Sequence, residues 1–315
     1  MASPPKSSGI DGFGYALAIA GAVLFSTKGV FIKLAYAEGL SPDMVLALRM
    51  AVAVPVYLVI GAFLLLRTPG LAAKSTTRIV AAAAGVGVLG YFVASLLDFW
   101  GLAFVSAQYE RLVLFTYPFF TLALGVFFFG EKMRWAVIPA MLLSYAGVLV
   151  LFGWNLATNP QGLVEGTLLV LASGLAFALY QHLARGAMRE TGSALFTCIA
   201  MLAAGAFSLA YATALGGAGI WASLSASAWG YGLALGIVGT VLPSFLLNAA
   251  IGRIGPSTVS SMGNFGPVAT IIMAIWILGE PFTLFHAIGT ALVLAGAVWF
   301  GRAAAMKKPA PAPEA

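Results

Sequence analysis

Six charged residues stand inside otherwise apolar stretches of this sequence: Lys28, Lys33, Arg49, Asp98, Glu110 and Arg111. A charge placed in hydrocarbon costs roughly 2.5–3.5 kcal/mol on insertion scales, so each needs water, a partner or a ligand. The cations suit a carboxylate or a phosphate. Asp98 and Glu110 could carry a proton. Lys28 lies 15 residues past the start of its apolar run at 13. That is about 22 Å along a helix axis, too deep for easy escape to an interface. Lys33, Arg49, Glu110 and Arg111 could instead extend to the membrane surface. A pairing of Lys28 or Arg49 with Asp98 could simply hold helices together.

Ring and amide groups accompany these charges. Tyr91, Ser95 and Asp98 share one helical face at spacings of three and four, and Tyr117 follows Glu110 by seven. Their rings could stack on a substrate. The alternative is an interfacial aromatic belt, which suits Trp100, Trp154 and Trp229 better. The second half carries polar stripes: Thr240, Ser244 and Asn248, then Ser257, Ser260 or Ser261, and Asn264. Such stripes line a wet path or bond helix to helix. Asn264, three residues before Pro267, is assigned to the cavity. The candidate substrate-binding residues are therefore Lys28, Arg49, Tyr91, Asp98, Arg111, Tyr117 and Asn264. The candidate coupling residues are Asp98 and Glu110.

Other chemistries lack their residues. The single cysteine, Cys198, allows no disulfide and no cysteine metal centre. His182 and His286 lack ligand spacing, so no metal is expected. No Walker A sequence occurs, and no cofactor is called for. An intramembrane enzyme would need paired catalytic groups, but Asp98 is the one Asp inside an apolar run and neither His has an acidic partner in sequence. Glu131 and Glu280 each follow a glycine and precede a new apolar run. They read as structural turns, with Gly as C-cap and the acid near a helix start.

The elements that must position these groups are set by composition. The chain has 315 residues, 61% apolar and 8% charged. Soluble domains carry about 25% charged residues, so an ordinary soluble enzyme, a nucleic-acid binder and a disordered chain are all excluded. The net charge of +6 is read as basic loops retained on the cytoplasmic side. Ten apolar runs occur, at 13–36, 43–66, 79–103, 108–129, 135–153, 163–184, 193–215, 228–249, 257–278 and 282–302. Each is near the roughly 20 residues that a helix needs to span hydrocarbon. With a cytoplasmic N-terminus, twelve Lys and Arg fall in inner loops and tails and none in the outer loops. That charge bias predicts a plasma-membrane protein with both termini cytoplasmic.

The halves repeat. A shift of 149 sets Pro118 on Pro267, Thr121 on Thr270, Gly130-Glu131 on Gly279-Glu280 and Ala146-Gly147 on Ala295-Gly296. Five spans per half invert the second copy, a design typical of secondary transporters. With Pro-x(11)-Gly-Glu at Pro118–Glu131 and again at Pro267–Glu280, the chain resembles the EamA family of the drug/metabolite transporter superfamily over roughly residues 13–303. The resemblance implies an all-α membrane protein of ten transmembrane helices, built as two inverted five-helix repeats. It implies no enzyme and no single substrate, since members move amino acids, nucleotide-like metabolites, vitamins and drugs. The expected organisation is a tail at 1–12, repeats at 13–153 and 163–303, an outer linker at 154–162 and a tail at 304–315.

These readings give one expectation. A small metabolite crosses by alternating access through a cavity between the repeats, with membrane lipid as the other partner and no nucleic acid. Four cations against two carboxylates leave a vestibule surplus of +2, which favours an anionic group. A lipid flippase is the alternative, and an intramembrane enzyme a more distant one.

Overall fold

The computed structural model describes residues 11–67, 76–131, 133, 135–254 and 265–305. Among them, every regular element is helical. The first half holds α1 (Gly12–Ala37), α2 (Pro42–Arg67), α3 (Thr77–Phe104), α4 (Ala107–Phe128) and α5 (Trp135–Thr158). The second holds α6 (Leu163–Thr191), α7 (Ser193–Gly216), α8 (from Ala226 to Ile254), α9 (Phe265–Leu278) and α10 (Leu284–Ala305). Nine of the ten are long and apolar enough to cross a membrane, and α9 contributes a shorter apolar helix among the described residues. The sequence run at 257–264, which includes Asn264, lies outside them.

The packing repeats as the sequence does. Helix α1 packs on α8 and α9 of the other half, and α6 packs on α3 and α4. Helix α2 pairs with α7, and α5 with α10. Each contact has its counterpart with the halves exchanged, which is the signature of two inverted repeats about a pseudo-twofold axis. At α5–α10 the backbones touch closely. A Cβ added to Gly147 would stand 2.6 Å from the Gly289 carbonyl oxygen. Small residues at such crossings let membrane helices approach. Ser144 Oγ donates to Val293 O at 3.1 Å across the same crossing.

Both expected Gly-Glu turns form. Gly130 and Gly279 take left-handed φ values of 66° and 67°. The Glu131 N–H then bonds Gly125 O at 2.8 Å and the Glu280 N–H bonds Ala274 O at 3.1 Å, each reaching six positions back to close the helix end.

Two local departures matter for the site. Helix α4, expected as one unbroken span, is split into Ala107–Leu114 and Tyr117–Phe128. Pro118 has no N–H to offer the Leu114 carbonyl, and the chain turns at Phe115-Thr116 instead. The third helix of each half also loosens into a π-helical stretch, Val88–Val93 in α3 and Ala234–Val241 in α8. Such stretches are rare and frequently accompany functional sites. Tyr91 sits in the first of them.

Candidate functional site

Helices α1, α2, α3 and α4 bring most of the intramembrane charges together. Lys28 Nζ donates to Asp98 Oδ2 at 2.6 Å, joining α1 to α3. Lys28, Arg49, Asp98 and Glu110 are 8%, 5%, 2% and 1% exposed. These four side chains turn into the helix pack rather than along its lipid-facing surface. Arg49 Nη2 donates to Ser95 Oγ at 3.1 Å and to the Tyr91 carbonyl at 3.5 Å. That backbone acceptor lies in the π-helical stretch. Arg111, on α4, reaches Ser26 Oγ at 3.4 Å. Glu110 lies against α1, its Oε2 3.8 Å from where a Cβ on Gly29 would stand.

Two phenyl rings organise the cations. Phe99 has the Lys28 amine 5.7 Å and the Arg49 guanidinium 5.1 Å from its centroid. Phe25 has Lys28 at 6.0 Å and Arg111 at 5.7 Å. The order is Arg111, Phe25, Lys28, Phe99, Arg49. A ring face attracts a cation and separates like charges, which lowers the cost of crowding three of them.

The cluster is under-satisfied. Among the described residues, Arg49 Nε and Arg111 Nε are buried without a hydrogen bond, and the buried carboxyls of Asp98 and Glu110 face each other. Among the described residues neither Arg49 nor Arg111 has a carboxylate within ion-pair distance. A buried polar atom left unpaired costs about 1–3 kcal/mol, and more when charged. Buried groups of this kind need water, a proton or a partner.

The remaining candidates sit nearby or elsewhere. Tyr91 OH accepts from Tyr180 OH at 3.0 Å, and the two rings meet edge to face. Tyr117 packs edge to face on Phe177, so it lies on the second repeat's α6. Lys33 lies within electrostatic reach of Glu110 and Glu280. Its amine donates to the Leu102 carbonyl at 2.9 Å, closing the C-terminal end of α3. Two cavities, of ≈300 and ≈310 Å³, lie where α3 meets the neighbouring helix ends, and the Lys28 cluster lines neither.

Sequence reasoning missed several participants. Phe25 and Phe99 gave no signal, because a Phe in an apolar run reads as lipid-facing. Ser26 accepts from Arg111 and, through its carbonyl, from Thr270 Oγ1 at 3.1 Å, which ties α1 to α9. Thr270 had stood out only as the repeat partner of Thr121.

Comparison with known proteins agrees with this architecture. The EamA-like transporter family matches residues 12–153 and 164–302, once per repeat. An uncharacterized transporter of Bacillus subtilis, YcbK, is 33% identical over 85% of this chain and 86% of its own length. A probable terminal-alkyne amino-acid exporter of Streptantibioticus cattleyicolor is 26% identical over 69% of this chain and 71% of its own. A solved crystal structure shares the fold, with a TM-score of 0.58 at 21% identity, covering 91% of this chain and 95% of that one. Ten helices in two mirrored five-helix packs, each matched by the same family, make this chain a member of the EamA-like transporter family.

Proposed function

We propose that this transporter moves a small metabolite bearing a carboxylate or phosphate by alternating access between its two repeats. The observation that carries the reading is the buried cluster itself. Three cations, two of them guanidinium groups without a carboxylate partner among the described residues, surround two phenyl rings between α1 and its neighbours. A guanidinium grips a carboxylate or phosphate with paired N–H donors, and a buried one gains most from doing so.

Lys28 is the anchor, with Arg49 and Arg111 flanking it. Tyr91, Asp98 and Tyr117 complete the wall. Asp98 and Glu110 are the groups that couple transport to protons. An amino-acid-like substrate fits, because its carboxylate answers the cations and its amine answers Asp98. The amino-acid exporter named among the relatives supports that class. The twelve-to-zero bias of Lys and Arg in the loops supports a plasma-membrane location with both termini cytoplasmic. Neither a cofactor nor nucleic acid takes part.

Flux of labelled amino acids and organic acids into proteoliposomes tests this. Transport of at least one anionic or zwitterionic solute is expected, and Lys28→Met abolishes it. Lipid scrambling without solute flux would establish a flippase instead.

A further inference from the structure

The turn between α9 and α10 reaches across to the first repeat. Glu280 Oε1 accepts from the Ala107 N–H at 2.6 Å and Oε2 accepts from the Gln108 N–H at 3.1 Å. Gln108 Nε2 adds a bond to Pro281 O at 3.3 Å. These N–H groups are the free donors at the start of α4, where a negative charge is favoured. The segment they begin, Ala107–Leu114, ends at the break before Tyr117, so it is a separate eight-residue piece. It carries Glu110 and Arg111 into the buried cluster.

Glu131 holds the same place in the other repeat, with the same glycine conformation and the same six-residue backbone bond. Its carboxylate is 45% exposed and lies 3.5 Å from Arg185 Nη1 and 4.0 Å from His182 Nδ1. Positions 256 and 257, which the shift of 149 sets against Ala107 and Gln108, lie outside the described residues. At the end of the bundle that holds Glu280, a second carboxylate also bridges the repeats. Glu38, after α1, accepts from Ser227 Oγ at 2.6 Å and Tyr231 OH at 3.0 Å on α8.

We propose that Glu280 is a positioning residue for transport. Its carboxylate latches the Ala107–Leu114 segment, and with it Glu110 and Arg111, while this end of the bundle is closed. It releases them when the repeats separate there. Opening of one end and rearrangement of the charged cluster become a single event. What that rearrangement achieves rests on the function proposed above, but the latch itself is testable without any substrate.

Cysteine accessibility reads it directly. Val105, beside the latch, is 5% exposed, and Cys198 can be replaced by Ala to leave Val105→Cys as the only thiol. Vesicles permeable to an impermeant maleimide should label Val105→Cys slowly. Glu280→Gln should raise the labelling rate by about tenfold or more, since charge-assisted hydrogen bonds are lost. Glu280→Asp should restore part of the protection, and Glu131→Gln should leave the rate unchanged. Ala107→Pro is a second route: proline is accepted at the first helical position but removes the 2.6 Å bond. It decides the matter if Glu280→Gln fails to insert. An unchanged rate in both latch variants overturns the proposal, as does an equal rise in Glu131→Gln. Loss of solute flux with labelling unchanged would bear on the function, not on the latch.

Discussion

Lys28 and Asp98 form a 2.6 Å ion pair with side chains only 10% and 2% exposed, and it ties α1 to α3 within the first repeat. Removing one partner of a buried pair strands the other charge, at about 3–5 kcal/mol. Lys28→Met should therefore lower the thermal midpoint in detergent markedly, and Lys28→Met with Asp98→Asn should recover much of the loss. Transport should not recover with it, because the anchor for the anion is gone. A double variant that transports normally would reduce the pair to a helix clamp.

The reach of sequence reasoning ended where side-chain direction began. Run lengths gave ten helices, and Pro118, Gly130 and Glu131 exposed the repeat, because turns and proline act locally. Depth marked Lys28 as buried. Rotation about a helix axis is set by packing, and that hid Lys33, whose amine turns to Leu102 O. It also hid Phe99, which lies between two cations. Glu280 was legible as a turn residue, but its bond to Ala107 spans 173 positions and follows only from the tertiary fold. The two π-helical stretches left no mark that apolar periodicity could detect.

The fold predicts which loops face which side. Ser41, in the turn after α1, and Thr76, before α3, are both exposed and should lie at opposite ends of the bundle. In a Cys198→Ala background in intact cells, Ser41→Cys should react with an impermeant thiol reagent added outside. Thr76→Cys should react only after the membrane is opened. The reverse pattern would invert the proposed orientation while leaving the helix packing intact.

The α5–α10 crossing should be sensitive to a single methyl group. Gly147→Ala would place a Cβ 2.6 Å from Gly289 O and 2.9 Å from Leu292 Cβ. Overpacking of this kind costs about 1–3 kcal/mol. Gly153, on the same helix, has nothing within 4 Å of such a Cβ. Gly153→Ala should be neutral or slightly stabilising, since alanine is the better helix former. Equal midpoints for the two variants, measured by thermal unfolding in detergent, would contradict the close crossing.

Coupling should depend on the two carboxyls of the cluster. Asp98 Oδ2 is held by Lys28, and the Glu110 carboxyl faces that of Asp98. A substrate anion that takes Lys28 leaves Asp98 without its counter-charge in a site that water barely reaches. An isolated buried charge is too costly to persist, so a proton must accompany the exchange. Asp98→Asn should accordingly leave counterflow of a labelled for an unlabelled organic acid in place, because such a substrate has no amine to lose at Asp98 and exchange needs no net proton movement. Uphill flux driven by a pH gradient should fall at least about tenfold, the 1.4 kcal/mol loss of one modest interaction. Glu110→Gln should show the same split to a smaller or equal degree, since Glu110 carries no ion pair of its own. If both variants keep full gradient-driven flux in proteoliposomes, the proton travels by other groups and the carboxyl pair serves only to balance the cations around Phe25 and Phe99.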